Sequence, residues 1–223
     1  MINEAIPGGG KDFAGYYEQP RLSLLDLYAG PSPKRVLELG CGGGANLSVL
    51  KRRYPTCHTT GVELRPDAAA AARASGNVDA LFVGDLLDPA LVPLPAAAFD
   101  LVVLSHVLEH FAEPEAVLAR ARHGLAPGGQ LLVALPNVRH AWVLVELLWR
   151  GDFQYRPAGI LDRTHLRFYT RKSALRFLNT CGWRVEACEP DIEGARSRAL
   201  ARWSLGLASD FAAFAYNFRL RAA

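Results

Sequence analysis

The stretch VLELGCGGGA, residues 36–45, decides the fold of this chain. It joins a short strand-like run, Arg35–Leu39, through four glycines to Ala45–Tyr54, in which the apolar residues have helical spacing. Glycines at such a turn let the backbone bend tightly and let a ligand approach where a Cβ atom would collide. The following helix directs its free N–H groups and the positive end of its dipole toward that ligand. The stretch therefore predicts a strand, a ligand-binding turn and a helix.

Segments typical of strands and of helices alternate along the rest of the chain. At this spacing the alternation predicts βαβ units and an α/β fold, Rossmann-like and doubly wound, with a mostly parallel seven-stranded sheet. Asp67 is expected to cap the second helix. The predicted strands are Arg35–Leu39, His58–Leu64, Ala80–Val83, Asp100–Leu104, Gln130–Leu135, Trp183–Glu189 and Ala215–Arg221, and the predicted helices are Ala45–Tyr54, Asp67–Ser75, Glu113–His123 and Arg171–Thr180.

The composition is that of an ordinary soluble globular protein. Of 223 residues, 50% are hydrophobic and 21% are charged, and a formal net charge of +3 is too small to predict a nucleic-acid partner. The four cysteines have no CxxC spacing, which favours reduced thiols in the cytoplasm. We find no apolar signal segment and no apolar run of the roughly 20 residues that a membrane-spanning helix needs. We therefore expect a cytoplasmic protein.

Acidic residues follow the second and third predicted strands, at the sheet edge where ligands bind in such folds. Glu63 is placed to accept hydrogen bonds from two ribose hydroxyls. Asp85 is placed to accept from an adenine amine while the amide of Leu86 donates to the ring, although the cap of a helix is an equal alternative for Asp85. The glycine turn itself permits a plain βα turn, a dinucleotide site or a pocket for S-adenosylmethionine (SAM).

Five motifs in order resemble those of class I SAM-dependent methyltransferases: VLELGCGGG, GVELRPD, VGD, FDLVVLSHVLEH and LAPGGQLLVALPN. The resemblance covers about residues 15–190 and implies methyl transfer with SAM as cofactor and S-adenosylhomocysteine as product. It also implies that the last two strands form an antiparallel hairpin. The cofactor-binding residues that it implies are Glu38, Gly40, Gly42, Gly44, Glu63, Asp85, Leu86 and Ser105.

The segment His106–His110 reads HVLEH, which is the spelling of a zinc-protease helix and would place three side chains on one helical face. A protease is excluded because the segment follows a central parallel strand. Ubiquinone-biosynthesis O-methyltransferases resemble this stretch, and there a carboxylate and a histidine are linked to a divalent cation. Here His106 replaces an acid, which disfavours a hard cation such as magnesium. A divalent cation, a structural role for Glu109 and His110, and a general base at His106 or His110 all remain open.

The stretch GILDRTHLRFYT, Gly159–Thr170, concentrates charged groups among apolar neighbours. Asp162 and His165 lie three residues apart and would share one face of a turn or helix. Histidine suits a general base because its unperturbed pKa is about 6.5, and an adjacent carboxylate would orient it. The alternative is that Asp162 pairs with an arginine and fixes a lid. The catalytic candidates are His165, Asp162, His106 and His110.

We divide the chain into an N-terminal helical cap over the cofactor, residues 1–30, and a methyltransferase domain, residues 31–223. Within that domain, residues 137–170 are expected to form an insertion or lid at the acceptor site. Phe13–Tyr17 is predicted to belong to the cap helix, with Tyr16 or Tyr17 near the methyl group. An apolar tail, residues 199–218, is expected to be a docked helix followed by the final strand.

The segments YYEQPRLSLLDLY, GILDRTHLRFYT and CGWRV also resemble a bacterial methyltransferase group found alongside glycosyltransferases and cell-surface polysaccharide functions. This resemblance implies O-methylation of a sugar or glycan hydroxyl. The alternatives are N-methylation of an amino sugar or small metabolite, an NAD-linked oxidoreductase, and a non-catalytic SAM-binding or membrane-associated protein. A homodimer is compatible with the sequence.

Overall fold

Strands and helices alternate in the computed structural model, which describes residues 19–192, 194, 198, 199 and 208–223. A 3₁₀ turn spans Leu108–His110. The strands are β1 (Arg35–Leu39), β2 (His58–Glu63), β3 (Ala80–Val83), β4 (Phe99–Ser105), β5 (Leu125–Pro136), β6 (Trp183–Asp191) and β7 (Ala215–Ala222). The helices are α1 (Leu22–Leu25), α2 (Ala45–Arg53), α3 (Pro66–Ala74), α4 (Pro114–Gly124), α5 (Ala141–Trp149), α6 (Arg171–Thr180) and α7 (Ser209–Ala212).

The seven strands form one sheet in the order β3-β2-β1-β4-β5-β7-β6. Neighbours among β1 to β5 pair in parallel, whereas β7 pairs antiparallel with both β5 and β6. The α/β Rossmann-like fold class and the C-terminal antiparallel hairpin are thereby confirmed. The strand order reverses between β1 and β4, and in open α/β sheets a ligand crevice forms at this switch point.

Alternate residues of the central strands pack on opposite faces of the sheet. Leu37 and Leu39 of β1 belong to an apolar core with α4 and α6, whereas Val36 belongs to a second core with α1 and α2. A strand covered on both faces reads as continuously apolar, which explains the runs in β1, β4 and β5. The two cores hold the carboxyl ends of β1 and β4 side by side, where the crevice lies.

Two helices differ from the prediction. Helix α3 begins at Pro66, because proline suits the first helical position. Asp67 therefore lies inside the first turn, where its carboxylate binds the Arg65 guanidinium, and the prediction that Asp67 caps the helix is wrong. Helix α5 lies within residues 137–170, which are expected to form an insertion or lid and for which the sequence analysis names no helix. Strand β5 also begins earlier than expected, at Leu125.

Parts of two predictions lie outside the described residues, namely Phe13–Tyr17 of the cap helix and residues 200–207 of the apolar tail. Within the described part, the amide of Arg21 donates to Oδ1 of Asn46 at 2.8 Å, so the segment before α1 lies against the start of α2. The division of the chain at residue 30 stays a prediction. None of the described helices combines the length and the apolar character needed to cross a membrane.

Candidate active site

The glycine turn between β1 and α2 has a backbone conformation that favours glycine. Gly40, Gly42 and Gly44 have φ angles of +74°, +53° and +78°. A Cβ atom on Gly40 would lie 2.7 Å from Cγ2 of Val107, in the loop after β4. The Gly40 amide donates to the Val62 carbonyl at 2.8 Å, which holds the turn against β2. The turn therefore lines a cavity at the switch point in close contact with the loop after β4.

Glu63, at the end of β2, lies across the glycine turn. Its Oε2 accepts a hydrogen bond from the Gly42 amide at 2.8 Å, and its Oε1 accepts one from the Arg65 amide at 2.9 Å. A carboxylate oxygen has two lone pairs, so each oxygen of Glu63 can accept a further bond. The side chain is buried and lines the cavity. Glu63 is thus fixed in position with acceptor capacity for two neighbouring hydroxyls.

Glu38, in β1, contributes a second buried carboxyl group to the same cavity. Its Oε1 accepts from Nδ2 of Asn46 at 2.7 Å, and its Oε2 has no hydrogen-bond partner among the described residues. Burial raises the pKa of Glu38 to about 8, with the Asn46 hydrogen bond opposing the rise and the Glu63 carboxylate adding to it. An unsatisfied buried polar group costs about 1–3 kcal/mol, so a ligand donor is expected at Oε2.

The loop after β4 buries a third carboxyl group, Glu109. Neither of its oxygens has a hydrogen-bond partner in the described part of the chain. Its Oε1 lies 3.3 Å from Nδ1 of His106 and 3.9 Å from Nε2 of His165. His106 has a φ of +56°, a conformation uncommon for a residue with a side chain and often found at functional sites. Two imidazoles that line the cavity, those of His106 and His165, therefore lie beside a buried carboxyl group.

The His165 imidazole is held in one tautomer. Its Nδ1 lies 3.0 Å from the Ile160 carbonyl oxygen, so Nδ1 carries the proton and Nε2 is free to accept one. Burial lowers the pKa of His165, while the Glu109 carboxylate and the Ile160 carbonyl oppose that shift. The His110 ring packs edge-on against it, with 4.8 Å between ring centres. His165 is therefore a neutral imidazole near pH 7.

The backbone of Glu109 fixes the segment that carries His165. Its carbonyl oxygen accepts hydrogen bonds from the amides of Leu166 and Arg167, at 2.8 Å and 3.1 Å. The Arg167 guanidinium also donates to the Ala112 carbonyl. These bonds attach residues 159–170 to the loop after β4, so this segment lies beside the cavity.

The chain matches a known family of enzymes. A family model described as a methyltransferase domain matches residues 13–187. The chain belongs to this methyltransferase family.

Named relatives of this methyltransferase cover most of its length. The ubiquinone biosynthesis O-methyltransferase of Xylella fastidiosa is 30% identical over 178 residues, which are 74% of this chain and 70% of the relative. The malonyl-(acyl-carrier protein) O-methyltransferase of Geobacter sulfurreducens is 30% identical over 197 residues, which are 85% and 73% of the two chains. A SAM-dependent methyltransferase from Thermotoga maritima, described as a possible histamine N-methyltransferase, has the same fold, with a TM-score of 0.63 at 16% identity over 91% of this chain and 87% of its own. The methyltransferase thus has the class I fold and uses SAM.

The residues around the glycine turn fit this cofactor. Gly40 has no Cβ atom, and a Cβ atom at this position would displace Val107. Glu63 keeps acceptor capacity for ribose hydroxyls, and the unpaired Oε2 of Glu38 can accept from a donor on the methionine part of SAM. Ser105 lines the same cavity. These residues would hold SAM in the methyltransferase.

Three predicted cofactor residues lie outside the lining of this cavity. Gly44 is the cap residue before helix α2 and lies against Ala72 of α3 and against Val78 instead. Asp85 accepts from the Leu87 amide at 2.9 Å within a local turn, and no helix follows it, so the alternative that Asp85 caps a helix is wrong. Leu86 is buried in the apolar core. The assignment of Asp85 and Leu86 to the adenine of SAM stays a prediction.

Asp162 does not form the expected pair with His165. Its Oδ1 accepts from the amide and the hydroxyl of Thr164, at 2.8 Å and 2.7 Å, and that hydroxyl lies 3.0 Å from Nδ1 of His110. The carboxyl group nearest the free nitrogen of His165 belongs to Glu109 instead. The sequence signal for Glu109 is the HVLEH motif, but burial of that side chain appears only in the structure.

The HVLEH motif does not form the single helical face that its spacing predicts, because only Leu108–His110 forms a turn of helix. Among the described residues, Glu109, His110 and His165 could hold a metal ion, with one ligand atom from each residue within 4.8 Å of the others. One carboxylate and two imidazoles suit a borderline divalent cation better than magnesium. His106 lies outside this group, and no residue is assigned to a metal.

Binding of SAM is expected to release most of one proton from Glu38 at pH 7. Burial keeps this carboxyl group protonated in the free enzyme, and the positive charge of SAM favours the carboxylate. Titration calorimetry in two buffers with different ionisation heats measures the released proton. The Glu38→Gln variant has no such proton, so equal proton release by wild type and variant would contradict this assignment.

The Glu38 carboxyl group also makes the free energy of unfolding depend on pH. The sign of this dependence is opposite to that of a glutamate whose pKa falls on folding. The pKa of Glu38 in the folded state, about 8, lies above the unfolded value, so its contribution to the free energy of unfolding is fully present below the unfolded pKa. That contribution is lost as the pH rises toward 8. We expect the ligand-free Glu38→Gln variant to lack this decline in thermal unfolding experiments.

Proposed function

We propose that this enzyme transfers the methyl group of SAM to a hydroxyl of a sugar or glycan, with His165 as the general base. The observation that carries the proposal is the neutral His165 imidazole beside a fully buried Glu109 carboxyl group, in the cavity that also contains the glycine turn. SAM supplies a methyl carbon that its sulfonium already activates. The enzyme therefore has to align the acceptor and accept its proton.

His165 is arranged for proton transfer. The Ile160 carbonyl holds the proton on Nδ1, which leaves the Nε2 lone pair for the acceptor hydroxyl. When Nε2 takes that proton, the imidazolium forms 3.9 Å from Oε1 of Glu109, whose negative charge stabilises it. His165 is the base, the Ile160 carbonyl fixes its tautomer, and the Glu109 carboxylate stabilises its charged form. A positioned base typically contributes about 10²–10⁴-fold to the rate.

Transfer to oxygen is favoured over transfer to nitrogen by the same groups. An amine acceptor that binds uncharged needs no strong base before it attacks, and the burial of Glu109 would then serve no purpose in the reaction. The relatives named above from Xylella and Geobacter are O-methyltransferases. For the sugar or glycan class, the support is the resemblance to methyltransferases found alongside glycosyltransferases and the polar groups of Asp162 and Thr164 near His110.

The acceptor class is tested by a methyl-transfer screen with labelled SAM. The panel contains nucleotide sugars, glycans, amino sugars, phenols and carboxylic acids, and the products are identified by mass spectrometry. We expect label on a sugar oxygen. Label found only on phenols or carboxylates would contradict the sugar proposal but keep O-methylation, whereas label only on nitrogen would contradict both.

S-adenosylhomocysteine is expected to stabilise the enzyme, whereas NADH is not. A ligand at about 100 times its Kd adds about 2.7 kcal/mol to the free energy of unfolding, which raises Tm by about 5–10 °C for a chain of this size. The Glu63→Ala variant loses the acceptor for the ribose hydroxyls and should show little of this rise. Stabilisation of the wild type by NADH alone would contradict the cofactor assignment.

A further inference from the structure

The Asn46 side chain contacts two different parts of the molecule at once. Asn46 is the second residue of α2, directly after the glycine turn, and its side chain is buried. Its Nδ2 donates to Oε1 of Glu38 at 2.7 Å, and its Oδ1 accepts from the Arg21 amide at 2.8 Å. One side-chain amide therefore joins a carboxyl group of the cofactor cavity to the segment before α1.

These two partners fix the orientation of the Asn46 amide. The Arg21 N–H is always a donor, so Oδ1 faces Arg21 and Nδ2 faces Glu38. The reversed orientation would place two donors against each other. Asparagine is a weak helix former because its side chain competes for backbone hydrogen bonds, so a buried asparagine at the start of α2 indicates a role for its amide.

This orientation determines which oxygen of Glu38 carries the proton. Oε1 accepts from Asn46, so the proton of the neutral carboxyl group lies on Oε2. Oε2 is the oxygen that has no partner among the described residues, and the Glu38 side chain lines the cavity. Loss of that proton turns Oε2 into an acceptor for a donor on SAM, while Oε1 stays bonded to Asn46.

The N-terminal segment, residues 19–30, is attached to the sheet and to α2 by polar contacts. Besides the bond from Arg21 to Asn46, these are Asn217 Nδ2 to Ser23 Oγ at 3.0 Å, Arg219 Nη1 to the Leu27 carbonyl at 3.0 Å, the Ala29 amide to Gln130 Oε1 at 3.2 Å, and Arg53 to Asp26 at 2.7 Å. Of these attachments between described residues, the bond to Asn46 is the one whose partner side chain lines the cofactor cavity.

We propose that Asn46 is a positioning residue that couples the attachment of the N-terminal segment to the binding of SAM at Glu38. A hydrogen bond to a carboxylate is about twice as strong as one to a neutral carboxyl group, so the bond from Nδ2 strengthens when Glu38 ionises. The amide is then held more firmly in the orientation that accepts from Arg21. By linkage, an attached Arg21 favours cofactor binding to the same extent. The inference goes beyond the proposed acceptor chemistry and depends only on SAM as the cofactor.

Other titratable groups near Glu38 are unchanged by a substitution of Asn46. Burial raises the pKa of Glu38, the Asn46 hydrogen bond lowers it, and the Glu63 carboxylate across the turn raises it. Burial also raises the pKa of the Cys41 thiol, with the two carboxyl groups adding to the rise. The remaining titratable residues that line the cavity are Arg21, His106, His110, Asp162 and His165. A difference in pH dependence between the wild type and an Asn46 variant therefore reports Glu38.

The first test measures the Kd for SAM by calorimetry from pH 6 to pH 9. The affinity of the wild type should rise with pH and level off at about pH 8, where Glu38 ionises in the free enzyme. Asn46→Leu removes both hydrogen bonds at similar volume, so its affinity at pH 7 should be about tenfold or more weaker and should keep rising above pH 8. Asn46→Asp keeps the acceptor for Arg21 but places a second acid beside Glu38, which also moves the transition to higher pH.

The second test follows the N-terminal segment by limited digestion with trypsin, which cleaves after arginine. Cleavage between Arg21 and Leu22, identified by mass spectrometry, requires local opening of the segment. We expect SAM to slow this cleavage about fivefold or more in the wild type. Asn46→Leu should be cleaved rapidly with and without SAM. Asn46→Asp keeps the bond to Arg21, so it should be cleaved at the wild-type rate without SAM but gain little protection from it.

The matched control is Asp26→Asn, which breaks the exposed pair with Arg53 and leaves the cavity unchanged. Exposed ion pairs contribute little, so its affinity for SAM should stay within about twofold of the wild type with the same pH profile. Asn46→Asp is nearly isosteric with the wild type, so it decides the question if Asn46→Leu does not fold. A wild-type pH profile in the Asn46 variants would overturn the proposal, as would wild-type protection of Arg21 by SAM. The same changes in Asp26→Asn would also overturn it, because any loosening of the segment would then produce them.

Discussion

The His165→Asn variant is expected to lose about 10²–10⁴-fold in kcat while binding S-adenosylhomocysteine as the wild type does. An asparagine amide can still donate to the Ile160 carbonyl, as Nδ1 of His165 does, so the local fold is kept. It has no nitrogen that can accept a proton from the acceptor. The variant therefore separates loss of the base from loss of a structural hydrogen bond.

The pH dependence of the same reaction gives an independent readout. Burial lowers the pKa of His165, so kcat/KM of the wild type should rise with pH through an apparent pKa below 6.5 and then level off. The base must be unprotonated to act, which sets this sign. His165→Asn should lose the acidic limb, whereas the control His58→Asn, at an exposed position at the start of β2, should keep it.

Two results would contradict the role of His165. Full activity of His165→Asn would show that His165 has only a structural role. Loss of a bound divalent cation from the variant, detected by metal analysis of the purified proteins, would instead assign Glu109, His110 and His165 to a metal site. Dialysis of the wild type against a chelator then shows whether methyl transfer needs that ion.

Replacing Gly40 with alanine is expected to weaken binding of S-adenosylhomocysteine by about 10²-fold or more. The new Cβ atom would lie 2.7 Å from Cγ2 of Val107, so the glycine turn and the loop after β4 must move apart. A misplacement of about 1 Å can cost about 10²-fold in the rate of an enzyme reaction, and we expect a loss of similar size in affinity because the same turn lines the cofactor cavity. Calorimetry with the purified variant measures the change in Kd.

A matched control separates this clash from backbone strain. Gly76 has a φ of +66°, close to that of Gly40, but a Cβ atom there would meet nothing within 4 Å. Gly76→Ala should lose about 1–2 kcal/mol of unfolding free energy, the same loss that the positive φ angle predicts for Gly40→Ala. Unlike Gly40→Ala, it should keep its affinity for S-adenosylhomocysteine. Partial rescue of Gly40→Ala by Val107→Ala would identify the clash as the cause, and equal affinity loss at Gly76 would contradict it.

The fold and the cofactor side follow from local patterns in the sequence. A glycine turn between a buried strand and a helix has few structural solutions, so VLELGCGGGA predicts both β1 and the cavity beside it. Glu38 and Glu63 lie at this cavity because they belong to the strands that form its edge. The prediction that Asp67 caps α3 is wrong because proline takes the first position of that helix. A cap prediction needs the helix boundary to the exact residue, and boundaries are the least certain part of a helix assignment.

The acceptor side could not be predicted in the same way. The spacing of Asp162 and His165 suggests a pair. In the structure the Asp162 carboxylate instead accepts hydrogen bonds from the amide and the hydroxyl of Thr164, a local pattern that is common for acidic residues in turns. Glu109 is close to His165 only through tertiary contacts between segments more than fifty residues apart. The sequence of α5 is apolar almost all round, so its periodicity does not show which residues stay exposed.

Glu109 contacts residues 159–170 in two ways. Its main-chain carbonyl accepts hydrogen bonds from the amides of Leu166 and Arg167, and its side chain lies beside His165. This double attachment sets a condition for protein engineering. A chimaera that takes residues 159–170 from another methyltransferase would replace the imidazole but keep the loop that positions it. A chimaera that moves the proposed acceptor site between relatives should therefore carry the HVLEH loop and the later segment together.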